Sequence, residues 1–167
     1  SMYTATMAAQ TVSTGLIALG SAYTGLALYN PIGSNYLLAM NKVGVAIVVT
    51  TAAASAIGIA TGTTNAPPTT TTAATAIRSS YVTGVTPNSV GQAFNVATFG
   101  TGTTTGTTPV VHTILAQTST AITLAPMLFD LEGSIVLPPG AFAQLYFSTA
   151  PGASGTIASF QWEEIPL

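Results

Sequence analysis

Short runs of residues that favour β-strands recur along the whole chain, and Gly, Pro, Asn or Thr residues separate them. Few stretches show the apolar period of about 3.6 residues that marks an amphipathic helix. Short strands with turn residues at this spacing are typical of a sandwich or a barrel. The sequence therefore predicts an all-β fold: a jelly-roll-like antiparallel β-sandwich of short strands with long Gly/Thr loops. The predicted strands are 12–19, 23–29, 36–49, 54–61, 76–83, 91–98, 108–117, 120–125, 127–131, 134–137, 142–149 and 156–164.

The alternation of apolar and polar residues is clearest in the runs 142–149 and 156–164. A period of two is expected of strands whose sheet has one covered face. The apolar residues that share a face are Ala143, Leu145 and Phe147 in the first run and Ala158, Phe160 and Trp162 in the second. Gly-containing turn signals lie between the two runs, so we expect a hairpin or a crossing from one sheet to the other.

The length of 167 residues suits a single domain, and no shift in composition marks a boundary within 1–167. Residues 1–11 are uncharged, and we expect them to form an extended N-terminal arm that could lie across a neighbouring subunit. The segments 61–75 and 99–109 are rich in Thr and Gly. Because such segments bury little surface on their own, we expect them to be exposed loops.

Charged residues make up only 4% of the chain, with two Lys or Arg, four Asp or Glu, one His and no Cys. A soluble domain usually carries about 25% charged residues. Two basic groups cannot neutralise the several phosphates of a nucleic-acid site, so no nucleic-acid partner is expected. Without Cys there is no disulfide, thiol nucleophile or thiolate metal site. With so few groups that carry protons or bind metals, we expect no enzymatic activity, no cofactor and no metal.

The segment from Val43 to Ala60 carries no charge and has roughly the length of a membrane span. Its first half is rich in Val and Ile, which favour strands. Its second half consists mainly of small residues, which give weak insertion energy. We therefore interpret the segment as strands and expect no membrane partner.

The residues that could carry acid–base chemistry are few. A serine triad would need His112 and Asp130, and no G-x-S-x-G motif accompanies them. We interpret His112 as a polar residue on a sheet face. Asp130 and Glu132 are two apart on a strand-like run, a pairing that could suit a glycosidase or calcium, but we favour a solvated or interface pair. Glu163 and Glu164 end the last predicted strand, where charge protects a sheet edge.

The neutral surface predicts that the chain functions within an assembly. A free monomer normally uses charge to remain soluble and to protect its sheet edges. Burying a face of Thr, Ser, Asn and Gln against another protein costs little free energy, because no ion must lose its water. We therefore expect a homo-oligomer or a larger assembly.

Three stretches of the sequence carry a resemblance to a known group of proteins. Residues 28–38 (LYNPIGSNYLL) contain a strand, an N-P-x-G-S turn and a second strand, and residues 131–140 have the sequence LEGSIVLPPG. With the closing FQWEE of residues 160–164, the chain resembles the small jelly-roll structural proteins of tailed-bacteriophage virions. Those proteins decorate or cement capsids or build fibre tips. The resemblance covers residues 23–61 and 127–166.

The resemblance implies a homo-oligomer, with a trimer as the expected form, and no enzymatic activity. It implies a virion protein at the capsid surface that decorates or cements the shell through contacts with the major capsid protein or other virion proteins. We expect the N-terminal half and the loops to bind the capsid. We expect faces that include Phe142, Tyr146, Phe160 and Trp162 to form the interface between copies.

Three alternatives stay open. The first is a trimeric receptor-binding head-fibre or tail-tip protein whose loops 61–75 and 99–109 contact a host surface glycan or protein. The second is a trimeric TNF/C1q-like surface domain such as those on bacterial spores, although the sequence contains no collagen-like Gly-X-Y repeat. The third is a glycan depolymerase that uses Asp130 and Glu132.

Overall fold

The computed structural model describes residues 1–7, 10–13, 17–48, 53–73, 77–79, 88–100, 106–119, 127–150 and 155–167. All regular secondary structure in these ranges is β, as the many β-branched and aromatic residues favour. The strands are β1 (Met2–Thr6), β2 (Ala22–Tyr29), β3 (Tyr36–Ile47), β4 (Ala56–Thr64), β5 (Thr69–Ala73), β6 (Arg78–Ser79), β7 (Gln92–Thr98), β8 (Gly106–Gln117), β9 (Met127–Leu137), β10 (Ala141–Phe147) and β11 (Thr156–Pro166).

The strands form a five-stranded sheet in the order β6-β1-β11-β3-β9 and a six-stranded sheet in the order β5-β7-β2-β10-β4-β8. The first four strands pair antiparallel with the last four in reverse order: β1 with β11, β2 with β10, β3 with β9 and β4 with β8. A long hairpin rolled so that its strands fall alternately into two sheets is a jelly roll. The prediction of an all-β, jelly-roll-like sandwich is confirmed.

The remaining strands, β5, β6 and β7, are additions between β4 and β8. β6 pairs with β1 and β7 pairs with β2, so each sheet is extended at one end. At their other ends the sheets finish with β9 and β8. A cleft between these two strands is lined by Thr107 and His112 of β8 and by Ile135 and Val136 of β9. The two outermost strands therefore lie on one side of the sandwich, which we call the open side.

The core lies between the two sheets and follows the predicted alternation. The buried residues include Ala143, Leu145 and Phe147 of β10 and Ala158, Phe160 and Trp162 of β11. The alternation predicted for 156–164 is therefore confirmed, whereas β10 is buried on both faces, since Phe142 and Gln144 are buried as well. Because β10 and β11 belong to different sheets, their connection is a crossing and not a hairpin.

A second, smaller cluster covers part of the outer face of the six-stranded sheet. The rings of Phe99 and Phe142 are stacked with centroids 4.0 Å apart, and Tyr29 packs against Phe99. Ile17 and Leu19, from the connection between β1 and β2, pack against this cluster. The six-stranded sheet is thus covered on both faces near Phe142, whereas no second apolar cluster of described residues covers the outer face of the five-stranded sheet.

Two predicted irregular segments contain strands instead. Within the predicted N-terminal arm 1–11, Met2–Thr6 forms β1 and pairs with β11 of the same chain, with Tyr3 opposite Trp162. The apolar Tyr3 and Ala5 face the core, and their burial holds the segment against its own chain rather than across a neighbouring subunit. The predicted loop 61–75 contains the end of β4 and the whole of β5. Its threonines favour strands once a neighbouring strand offers hydrogen-bond partners.

Six other predicted elements differ from the structure or lie partly or wholly outside the described residues. Of the predicted strand 12–19, residues 12, 13 and 17–19 are not in a strand and residues 14–16 lie outside the described residues. A turn at Ala18–Ser21 redirects the chain before β2. The predicted strands 127–131 and 134–137 form one strand, β9, with a left-handed Glu132–Gly133 pair inside it. Of the predicted loop 99–109, residues 106–109 belong to β8, and 101–105 lie outside the described residues. Residues 80–83 and 120–125, predicted as strand, also lie outside them.

The two turn motifs that carry the resemblance meet at Asn30. Its side chain is fully buried, and Nδ2 donates to the carbonyls of Tyr36 and Leu137, each at 2.8 Å. Oδ1 accepts from Ser34 Oγ at 2.6 Å, and the carbonyl of Asn30 accepts from Gly140 N at 2.8 Å. Asn30 therefore fastens the 30–34 turn to the turn before β10. These motifs hold the fold together and carry no chemistry of their own.

The uncharged stretch from Val43 to Ala60 is divided between two strands: residues 43–47 lie in β3 and residues 56–60 in β4. The two strands belong to different sheets. No helix among the described residues has the length and hydropathy to cross a membrane.

Candidate functional site

An apolar groove of about 340 Å³ lies on the outer face of the five-stranded sheet. Its lining comes from four strands: β1, β3, β9 and β11. The residues that shape it are Thr6, Gly44, Ala46, Leu128, Ile157 and Ser159. None of its lining residues is charged. We call this surface the groove face.

Strand register builds the floor of the groove. Gly44 lies opposite Ser159 on one side and opposite Leu128 on the other, and Ser159 lies opposite Thr6. One row across four strands therefore carries two hydroxyls, a bare backbone and one large apolar side chain. A Cβ at Gly44 would come within 2.7 Å of Ser159 Oγ and 3.8 Å of Leu128 Cδ1. The groove exists because position 44 has no side chain.

Large apolar side chains stand beside the groove. Leu128 is 66% exposed and Met127 is 39% exposed, both at the start of β9. Val48, just after β3, is 57% exposed. Monomeric proteins seldom leave a contiguous apolar patch in water unless another molecule covers it. The groove face has the composition of an interaction surface.

The charges of this sheet lie farther along the strands, away from the groove. Lys42 of β3 is opposite Asp130 of β9, and Glu163 of β11 lies in the row beyond, opposite Ala39. Asp130 Oδ1 accepts a hydrogen bond from Glu132 N at 2.9 Å, which stabilises the left-handed turn of the strand there. The outer face is therefore divided into a neutral half and a half with mixed charge.

Three of the four residues expected at the interface between copies are buried inside a single chain. Phe142, Phe160 and Trp162 are all 0% exposed, so their side chains have no surface to offer to a second copy. Phe160 and Trp162 belong to the core, and Phe142 belongs to the cluster around Phe99. That part of the prediction is wrong, because period-two alternation identifies a covered face but not what covers it. Tyr146 is half-buried, opposite Gly58, and its interface role stays a prediction.

Glu163 and Glu164 do not protect an edge, since β11 lies between β1 and β3 inside the sheet. Glu164 is buried, and its carboxylate accepts hydrogen bonds from four donors. The donors are Ser89 Oγ at 2.6 Å, Gly91 N at 2.9 Å, Val90 N at 3.1 Å and Trp162 Nε1 at 3.3 Å. Glu164 therefore fastens the turn before β7 to the end of β11. The alternation that buries Ala158, Phe160 and Trp162 also places position 164 on the inner face. This signal in the sequence could have identified Glu164 as a buried residue.

The residues considered for catalysis are not assembled into a site. His112 is exposed on β8 in the six-stranded sheet, whereas Asp130 and Glu132 are exposed on β9 in the five-stranded sheet. His112 lines a cleft of about 210 Å³ together with Thr61, Thr63 and apolar residues. Within the described ranges, no group of three or more His, Cys, Asp or Glu residues is placed to hold a metal ion.

Comparison with protein-family models, with curated proteins and with solved structures gives no match for this chain. The case for a function therefore stands on the sequence and on the geometry of the groove face.

Proposed function

We propose that this chain is a non-catalytic structural protein of a virion, which decorates or cements the capsid surface as a homo-oligomer. The observation that carries the oligomer is the groove face: a neutral groove with Leu128, 66% exposed, standing beside it. The virion setting rests on the resemblance of residues 23–61 and 127–166 to phage structural proteins.

A second copy of the chain is the occupant that the groove face fits best. The face offers both a protruding side chain, Leu128, and a depression over Gly44, so copies of one chain can supply both halves of a contact. Burying a Leu or Ile side chain contributes about 1.5–3 kcal/mol. Burying the hydroxyls of Thr6 and Ser159 requires no ion to lose its water. A symmetric ring closes on itself and leaves no copy with an uncovered groove.

A trimer is the form that the resemblance implies, and it suits a decoration protein. Each trimer would contact several capsid subunits at once. Weak contacts that are linked in one rigid body act together, so the trimer can bind the shell far more tightly than any single contact. The jelly roll supplies rigidity, and the low charge keeps the cost of burying the surface small.

The proposal is tested on intact particles from the source of the chain. A gold-labelled antibody against the chain is viewed by negative-stain electron microscopy, with antibody absorbed on purified chain as the control. Label spread over the head supports decoration of the capsid. Label confined to the tail or fibres contradicts it and favours the receptor-binding alternative. Particles that carry the chain by mass spectrometry but no label on the head also contradict it.

A further inference from the structure

A small polar cavity lies at the end of the sandwich where β1 begins and β11 ends. Its volume is about 200 Å³, and its lining residues are Ser1, Tyr3, Tyr36, Asn88, Glu164 and Pro166. We call it the end cavity. It shares no lining residue with the groove face, so its chemistry is separate from the proposed contact between copies.

Glu164 is the only charged side chain in this lining, and it is 5% exposed. The two basic residues of the chain lie elsewhere in the strand register, Lys42 opposite Asp130 and Arg78 opposite Thr4. The four groups that donate to the Glu164 carboxylate are all neutral. A buried carboxylate with neutral partners interacts strongly with a cation, since little water screens its charge. The end cavity therefore favours a cationic ligand.

The hydrogen bonds of Glu164 leave room for one more donor. Among the described residues, Oε2 accepts from Val90 N alone, at 3.1 Å. Oε1 already accepts from Ser89 Oγ, Gly91 N and Trp162 Nε1. A carboxylate oxygen offers about two lone pairs, so Oε2 can accept a second hydrogen bond whereas Oε1 is filled. The amine of Ser1 also lines the cavity, but its hydrogen bond goes to the main-chain carbonyl of Glu164, at 3.3 Å.

A single open acceptor selects among cations. A guanidinium binds a carboxylate best through two parallel hydrogen bonds, one to each oxygen, and here only one oxygen is open. An ammonium is a compact charge that needs one acceptor position. The rings of Tyr3 and Tyr36 line the same cavity, where they attract a cation and pack against the methylene groups that carry it.

We propose that the end cavity binds a primary alkylammonium group, supplied either by a lysine side chain of another protein or by a free amine. The carboxylate of Glu164 accepts a hydrogen bond from the ammonium, and the two tyrosines surround the alkyl chain. This site goes beyond the proposed structural role and does not depend on the groove face, so either proposal can fail without the other.

The test follows the indole N–H signal of Trp162, the only Trp, in nitrogen–proton correlation spectra of the whole chain. This N–H donates to Glu164 Oε1 at 3.3 Å and therefore reports on the carboxylate. The probes are pentylammonium and Nα-acetyl-lysine N-methylamide, with Nα-acetyl-norleucine N-methylamide as the neutral control. We expect a saturable shift with pentylammonium and none with the neutral compound. A saturable shift with the lysine compound as well identifies a protein side chain as a ligand, and its absence identifies a free amine.

Two variants test the site itself. Glu164→Gln keeps the size of the side chain and removes its charge, so we expect binding to weaken by at least about tenfold. Its control is Glu163→Gln, which loses the same charge on the outer face and should bind like the wild type. Asn88→Lys, at an exposed position of the lining, places an ammonium of the chain itself at the cavity and should also abolish binding. Its control is Ile114→Lys, which adds the same charge on β8, where the side chain is 57% exposed.

The Asn88→Lys variant leaves Glu164 intact, so it decides the matter if Glu164→Gln does not fold. The proposal is overturned if neither amine gives a saturable shift, or if the neutral compound shifts the signal as much as the amines do. Amine binding by Asn88→Lys that is as tight as in the wild type also overturns it.

Discussion

At the scale of single residues, buried polar side chains with complete sets of partners hold the ends of the strands together. The side chain of Asn30 has three hydrogen bonds, and its main-chain N–H and carbonyl have one each. A buried group that loses its partner costs far more than an ordinary hydrogen bond contributes, because it has also lost its water. The most sensitive polar positions should therefore be those that satisfy buried carbonyls.

We expect Asn30→Ala to lower the free energy of unfolding by about 2–4 kcal/mol, because it removes the Nδ2 donor that serves the carbonyls of Tyr36 and Leu137. Urea denaturation, followed by Trp162 emission, measures this free energy of unfolding. Asn88→Ala is the control, since Asn88 is exposed, and it should change stability by no more than about 0.5 kcal/mol. Equal effects of the two substitutions would contradict the role assigned to Asn30.

Tyr23 should make the fold sensitive to alkali. Burial raises the pKa of Tyr23 well above its ordinary value of 10.0. The unfolded chain binds fewer protons than the folded chain above pH 10.0, so stability is complete below that pH and is lost as pH rises toward the folded pKa. When the pH is raised from about 9 to about 11, the urea midpoint of Tyr23→Phe should therefore fall less than that of the wild type. An identical fall in both proteins would show that other groups control it.

At the scale of elements, strands with clear alternation were predictable and strands defined only by their partners were not. The runs 142–149 and 156–164 carry the clearest alternation in the sequence, and they correspond to β10 and β11 in the structure. β1 is short, and β5 consists almost wholly of Thr, so their sequences alone do not distinguish a strand from a loop. Their strand state comes from pairing with β11 and β7, which are distant in sequence.

The groove face was beyond sequence analysis for the same reason. Thr6, Gly44, Leu128 and Ser159 become one row only through the pairing of β1, β11, β3 and β9. A glycine inside an apolar run does not by itself indicate a groove. The oligomer could be anticipated from the scarcity of charge, whereas the surface that forms it depends on register.

The carboxylate of Glu164 links two elements, and its neighbour in sequence provides a matched control. Glu164→Gln replaces one acceptor oxygen with an NH₂ group that faces donors such as Ser89 Oγ and Gly91 N. We expect a loss of about 1.5–3 kcal/mol in the free energy of unfolding, typical of hydrogen bonds to a charged group. Glu163→Gln, half-buried on the outer face, should change stability by no more than about 0.5 kcal/mol. Differential scanning calorimetry of the two variants measures these losses of stability. A larger loss for Glu163→Gln than for Glu164→Gln would contradict the role assigned to Glu164.

At the scale of the whole molecule, the jelly roll presents an apolar groove face and very little charge. The core and the buried side chains of Asn30 and Glu164 account for the fold of one chain, but they leave the groove face in water. A chain with 4% charged residues has few means of keeping such surfaces apart in solution. We therefore expect the chain to self-associate through the groove face.

The most direct test of self-association is the mass of the purified chain in solution, measured by light scattering over a range of concentrations. We expect three chains of 16.7 kDa each for the wild type and for the control Ile32→Lys, at a position 50% exposed in the turn after β2. We expect one chain for Leu128→Lys, because Leu128 lines the groove and is 66% exposed. A wild type that stays at 16.7 kDa at every concentration, or a Leu128→Lys variant that keeps the wild-type mass, would contradict it.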